Sequence, residues 1–221
     1  RAFVFFILTR SAMTIDKNIN IEPQLKSLLD PLSDKEYNQL EENVRREGVR
    51  DPLVVWDERD ILLDGHHRHR ICQEHGLGFP TERISLPNMQ AAKRWMIKNQ
   101  LGKRNLTRQQ QSYYRGKLYN ELKKPAAGRE GREFSGGQND HPKSKRTAEQ
   151  VAEQTGASEK TVRRDAEFAD AVDTLVESGV ERDVITGSKS KVSKKDTKKI
   201  RMVTPEKLAE LVEGESVLEA E

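Results

Sequence analysis

Apolar positions along this chain follow two periods, and each change of period marks an element. Ser33, Asp34, Lys35 and Glu36 form a capping box, with Ser33 placed to accept from a free amide and Glu36 placed to reach back. Tyr37, Leu40 and Val44 then recur at helical spacing and Gly48 supplies a stop, so the spacing predicts a helix over Asp34–Glu47. Pro52 opens an extended stretch. The runs LVVW at Leu53–Trp56 and ILL from Ile61 to Leu63, separated by polar residues 57–60, predict a hairpin of two short buried strands. The second run ends in Asp64 and Gly65, after which His66–His75 predicts a helix closed by Gly76. A further strand is expected over 81–86, and Asn88 is placed to cap a helix carrying Ala92, Trp95 and Met96 on one side.

The second half is helical in pattern throughout. A basic helix is expected from Thr107, where Tyr114, Leu118 and Leu122 make an apolar stripe suited to packing on the helices that follow. Residues 125–143 mix Pro, Gly and charge without periodicity and predict a mobile internal loop. Residues 147–154 and 158–169 predict two helices joined by Thr155, Gly156 and Ala157, with Ser158 as the second N-cap. Ala152 is small where two helices cross, Gly156 suits the turn, and Val151 and Val162 are positioned to meet in a small core. Asp165 falls where an apolar residue is expected. Beyond Val180 the chain becomes Lys-rich, with one short helix expected at 205–212 and no internal repeat.

Composition narrows the class. With 221 residues, 34% hydrophobic and 34% charged, the chain supports two modest domains better than one. The net charge is +3, but residues 22–64 hold 12 acidic against 6 basic side chains, and residues 91–146 hold 15 basic against 4 acidic. The basic half is where a polyanion would sit. The single cysteine, Cys72, excludes an intramolecular disulfide and suits a reducing, cytoplasmic compartment. The apolar residues 2–8 are too few to span a bilayer, so no membrane association is expected. Residues 1–18 are expected to be a disordered or non-native leader, with Met13 as a candidate start.

Two segments carry candidate chemistry. In a helix-turn-helix the start of the second helix enters the major groove, which makes Ser158, Lys160, Thr161, Arg163 and Arg164 candidate DNA contacts, together with Lys145 and Arg146 ahead of the first helix. The bland alternative is a helical hairpin with a charged outer face. The second segment is ILLDGHHRHR, in which a buried strand ends at Asp64 and glycine opens a helix whose first amides are free, a geometry that suits phosphate. Gly65, His66, His67, Arg68 and Arg70 are the candidate ligands, and Lys103 and Arg104 are candidates to close over a triphosphate. A metal site is the rival reading, since His66, His67, His69 and His75 are four of the five histidines. Adjacent histidines on one helix start point apart, however, and the interposed arginines repel a cation, so no metal ligand is assigned. A polar helix cap is the third alternative.

In their order these pieces resemble the ParB family and its wider ParB/sulfiredoxin-like fold. The resemblance rests on LDPLSDKEYNQLEENVRREGVRDPL at 29–53, which looks like that family's opening strand, helix and Gly-x-x-x-Pro passage. It rests further on the G-x-x-R box within 64–70, on 99–106 as a second phosphate motif, and on the helix pair at the expected distance. It implies an α+β chain: a small mixed-sheet domain over 19–106, an all-α helix-turn-helix domain over 107–180, and a Lys-rich segment over 181–221. It further implies CTP or ATP bound with Mg²⁺ at Gly65 to Arg68 and Lys103 to Arg104. The partners implied are double-stranded DNA, a second copy of the chain and a partition ATPase, in plasmid, phage or chromosome partition or transcriptional control. His66 and His67 stand where that family usually shows Glu and Arg, and Asn99 and Gln100 where it shows Glu and Asn, which puts triphosphate hydrolysis in question. DGHHR also looks like the box of the ADP-dependent serine kinases of this fold. A kinase with Asp64 as the catalytic acid, or a ParB-like nuclease, is therefore the alternative.

Overall fold

The computed structural model describes residues 19–103, 105–123, 146–187 and 190. The expected leader, Arg104, the loop over 125–143, Lys145 and the short helix at 205–212 lie outside the described residues. The described chain divides into two compact units, one ending at Ala92 and the other beginning at Lys93.

In the first unit the two apolar runs become neighbouring strands because each has too few residues for a helix and too little polar surface to stay in water. β1 (Leu53–Trp56) pairs antiparallel with β2 (Ile61–Asp64), with Val55 opposite Leu62 and Trp56 opposite Ile61. Their connection is a 3-10 turn at Asp57–Arg59 followed by Asp60 in the left-handed region. β3 (Thr81–Ile84) runs parallel to β1 on its other side, giving the order β2-β1-β3 and a mixed sheet. The indole of Trp56 donates to the Leu86 carbonyl at 2.8 Å, which fixes the chain leaving β3.

Helices α2 (Asp34–Glu47) and α3 (His66–His75) supply the rest of the core, with Val44 and Ile71 and Cys72 packed against Leu53, Val55, Leu62 and Phe79. The capping box is present at the start of α2: the Ser33 amide donates to the Glu36 carboxylate at 3.0 Å and the Glu36 amide to the Ser33 hydroxyl at 3.4 Å. Burial pushes the Cys72 thiol up, as befits a packed residue. The opening of the unit differs from the expectation. Instead of a strand near residue 29, a single parallel bridge joins Asn20 to Ile61 and is followed by a four-residue helix α1 (Pro23–Lys26).

The second unit is helical. α4 (Met89–Leu101) is capped by Asn88, whose side-chain oxygen accepts from the Ala91 amide at 2.9 Å, and its course crosses the boundary between the units. α5 (Arg108–Lys123) starts at a reciprocal cap in which the Gln110 amide donates to the Thr107 hydroxyl at 3.0 Å and the Thr107 amide to the Gln110 side chain at 2.9 Å. α6 (Thr147–Thr155) and α7 (Glu159–Glu177) are joined by a turn with Gly156 in the left-handed region, and α8 (Arg182–Thr186) follows. α7 runs well past residue 169, because Ala171, Val172 and Leu175 continue its buried stripe.

α5 and α7 cross at Gly116. A Cβ there would overlap the Asp165 carbonyl and crowd the Ala166 amide, so only glycine allows the two backbones to approach. The same crossing explains the carboxylate at a position expected to be apolar. Asp165 is fully buried, but Arg115 of α5 reaches it at 2.7 Å, and Lys117 and Tyr113 bond Asp173 one turn pair further along, at 2.7 and 2.8 Å. A buried charge held by a guanidinium is tolerated where a lone one is not.

Gly116→Ala is therefore expected to lower the stability of the second unit by about 2–3 kcal/mol, the usual cost of forcing atoms into a packed contact. Chemical denaturation followed by helical circular dichroism measures it, and an unchanged midpoint would mean that the crossing is not close.

Candidate functional site

The turn from β2 into α3 concentrates the candidate chemistry of the first unit. Gly65 takes φ 91° and ψ 22°, a conformation that costs an L residue about 1–2 kcal/mol. A Cβ at this position would also lie 2.9 Å from Leu53 and 3.2 Å from the Arg68 guanidinium. The group that approaches the glycine backbone is therefore the protein's own Arg68. Its guanidinium donates to the Asp64 carboxylate at 3.0 Å and to the Asp51 carbonyl at 2.6 Å, tying the end of β2, the first turn of α3 and the passage before β1 together.

This arrangement sorts the predicted residues. Arg68 lines a cavity of about 300 Å³ beside the end of α2, with Leu40, Val44, Gly48, Val49 and Asp51 among its walls. His66, His67 and Arg70 line a different cavity of about 310 Å³, which Lys26, Asp30 and His69 complete on the polar side and Ile21, Leu29 and Pro31 on the apolar side. Sequence reasoning missed Lys26 and Asp30. They come from α1 and the loop after it, and a four-residue helix leaves no periodicity to detect. Arg70 is exposed, paired with Glu74 at 2.7 Å and stacked 5.1 Å above the Tyr37 ring, whose edge also meets His67 at 6.2 Å.

His66 and His69 are the unusual members of the second cavity. They are only 6% and 2% exposed, and neither ring nitrogen of either side chain has a hydrogen-bond partner among the described residues. Such buried polar groups normally find partners. Burial pushes His66 down to about 4; Asp64 pulls the other way, while His67, Lys26 and His69 reinforce the lowering. His69, packed edge-on to Phe79 at 5.5 Å, is lowered by burial too. Among the described residues no cluster of three or more His, Cys, Asp or Glu side chains is arranged to hold a metal ion.

In the second unit, Lys103 is exposed just after α4. The start of α7 is built as the sequence indicates, with the Ser158 hydroxyl accepting from the Thr161 amide at 3.2 Å. Val162, Ala166, Phe168 and Ala169 turn inward with Val151 of α6, while Lys160, Arg163 and Arg164 face outward and Thr161 is half-buried. Arg163 pairs with Glu159 at 2.5 Å in an exposed contact one helical turn long. Arg146 is exposed at the start of α6.

No protein-family model matches the chain, and no curated protein matches its sequence. Among solved structures the chain is similar to a Pnob8-like ParB-N domain at 16% identity, with a TM-score of 0.53 over 84% of this chain and 76% of that one. It also aligns with the C-terminally truncated chromosome-partitioning protein ParB of Caulobacter crescentus. For that protein complexed to the centromeric parS site the identity is 15%, the coverage 89% and 96%, and the TM-score 0.41. For its complex with CTP-γ-S the figures are 17%, 90% and 96%, and 0.35. The first of these likenesses establishes the fold: the chain has the α+β architecture of a ParB-N domain. Among the described residues no helix is long and apolar enough to cross a membrane.

Two outcomes follow from this geometry. Arg68→Ala should destabilise the first unit by about 2 kcal/mol, since it leaves the half-buried Asp64 unpaired, whereas Arg70→Ala should stay within about 0.5 kcal/mol. Urea denaturation of the two variants separates them. Because His66 binds its proton less readily in the fold than in the unfolded chain, the unfolded state holds more protons between pH 6.5 and about 4. Stability is thus complete above that window and falls as the pH is lowered through it, by on the order of 3 kcal/mol near its acid end. His66→Gln should flatten the dependence of the urea midpoint on pH.

Proposed function

We propose that the chain is a ParB-like, nucleotide-responsive DNA-binding protein acting in partition or in transcriptional control. The observation that carries this reading is the polarity of α7: its inner face is the core of the second unit, and its first turns present Lys160, Arg163 and Arg164 to solvent beside the capped start at Ser158. As the second helix of a helix-turn-helix, α7 would lie in the major groove, where arginines reach base edges or phosphates. Arg146 at the start of α6 supports a backbone contact of the same kind.

The nucleotide belongs to the first unit. The start of α3 offers the positive end of a helix dipole, and the adjoining cavity supplies Lys26 and Arg70 as cations and His66 and His69 as imidazoles unpartnered among the described residues. These features fit phosphates, and the sequence resemblance names CTP or ATP as the carrier. Within this reading Arg68 is a positioning residue, holding the turn through Asp64 and Asp51. Lys103 and Arg104 are assigned to the triphosphate by the sequence resemblance alone. The Asp64 carboxylate at the end of β2 is engaged by Arg68 at 3.0 Å, which removes it as the natural Mg²⁺ ligand of this turn. The same engagement removes support from a kinase or nuclease that would use Asp64 as its acid. Ligand binding that favours one arrangement of two protomers on DNA needs only a difference in affinity between the arrangements.

Fluorescence anisotropy with duplex DNA at increasing salt tests the DNA half. Affinity should fall steeply with salt, and Arg164→Ala should weaken it by about ten-fold with a slope shallower by about one if the contact is a phosphate. Salt-insensitive binding, or an unaffected variant panel at Lys160, Arg163 and Arg164, would remove α7 from the interface. Calorimetric titration with CTP and ATP tests the other half. Those same α7 variants should bind nucleotide as the parent does, and a chain that binds neither nucleotide retains only the DNA function.

A further inference from the structure

Resting on the nucleotide reading, we propose that the α3 cavity takes up its phosphate-bearing ligand together with a proton, and that His66 is the group that accepts it. The geometry carries the argument. His66 is buried at the first turn of α3, lines the cavity and has no partner for either ring nitrogen among the described residues. A neutral imidazole has one N–H and one bare nitrogen, so an anionic oxygen on the bare side is repelled, while a protonated ring donates from both sides.

The charged groups around the ring decide when protonation occurs. Lys26 on α1 and His67, His69 and Arg70 on α3 face the cavity as cations or potential cations. Asp64 at the end of β2 and Asp30 in the loop after α1 oppose them. In the ligand-free site burial wins, and the ring is neutral at pH values above its lowered pKa of about 4. Several negative charges delivered beside Lys26 and Arg70 reverse that balance, since an anion in a low-dielectric pocket stabilises the imidazolium. By linkage the ligand then binds more tightly as the pH falls, by up to about ten-fold per pH unit, between the raised and the unliganded values. His69, one turn further along and equally unpartnered, offers a second ring for the same ligand.

The test is nuclear magnetic resonance of the imidazole nitrogens in the full chain, titrated with pH alone and with saturating CTP or sodium tripolyphosphate. The expected result is a His66 midpoint raised by at least about one pH unit with ligand. A rise with both probes assigns the coupling to phosphates in general, and a rise with CTP alone assigns it to phosphates delivered by a nucleotide; either supports the proposal. Calorimetry in two buffers of different ionisation heat supplies a second readout. The parent chain should take up more protons per CTP than His66→Gln, with thermal unfolding checking that the variant is folded. CTP binding with an unmoved His66 midpoint, or equal proton uptake by parent and folded variant, overturns the proposal and leaves the nucleotide reading intact. Failure of both probes to bind across the pH range overturns that reading as well.

Discussion

The turn from β2 into α3 depends on the clasp between Arg68 and Asp64 across Gly65. Glycine allows the left-handed step, the guanidinium spans it, and its second bond, to the Asp51 carbonyl, anchors the approach to β1. With those bonds in place the first turn of α3, at the end of a buried strand, carries His66 and His67 into the cavity wall. An arginine that resembles a ligand in the sequence thus serves as a brace, while the histidines beside it line the neighbouring cavity. The division is economical in charge, since a guanidinium satisfied by protein can hold backbone geometry whether or not an anion is present.

A comparable constraint governs the second unit. Gly116 lets α5 lie against α7, and the buried Asp165 is held by Arg115 instead of facing apolar side chains alone. That contact fixes the inner face of α7, and so determines which of its residues look outward. The basic turn carrying Lys160, Arg163 and Arg164 is presented because the opposite face is locked.

Much of the fold was legible where short-range chemistry dictates it. The capping box at Ser33, the cap at Asn88, the run from Leu53 to Asp64 and the glycine before His66 each act within a few residues, so their consequences can be read locally. The stripe of Tyr114 and Leu118 likewise announced α5 and its buried face. What escaped depends on distant partners. α1 is too short to show a period, α7 extends past residue 169 because its stripe is buried by tertiary packing, and Asp165 looked misplaced without Arg115. Arg68 was legible as an important cation, but whether it faces a ligand or its own backbone depends on where Asp51 lies.

In the proposed reading each of two helix starts takes an anion through its amides and nearby cations: a nucleotide at α3 and duplex DNA at α7. Hydrogen exchange of the full chain, followed by mass spectrometry with CTP, with duplex DNA and with neither, reads those amides directly. The account predicts that CTP slows exchange across Gly65 to Arg70 and that DNA slows it across Ser158 to Arg164. Protection confined to other segments, or absent with both ligands, would contradict it.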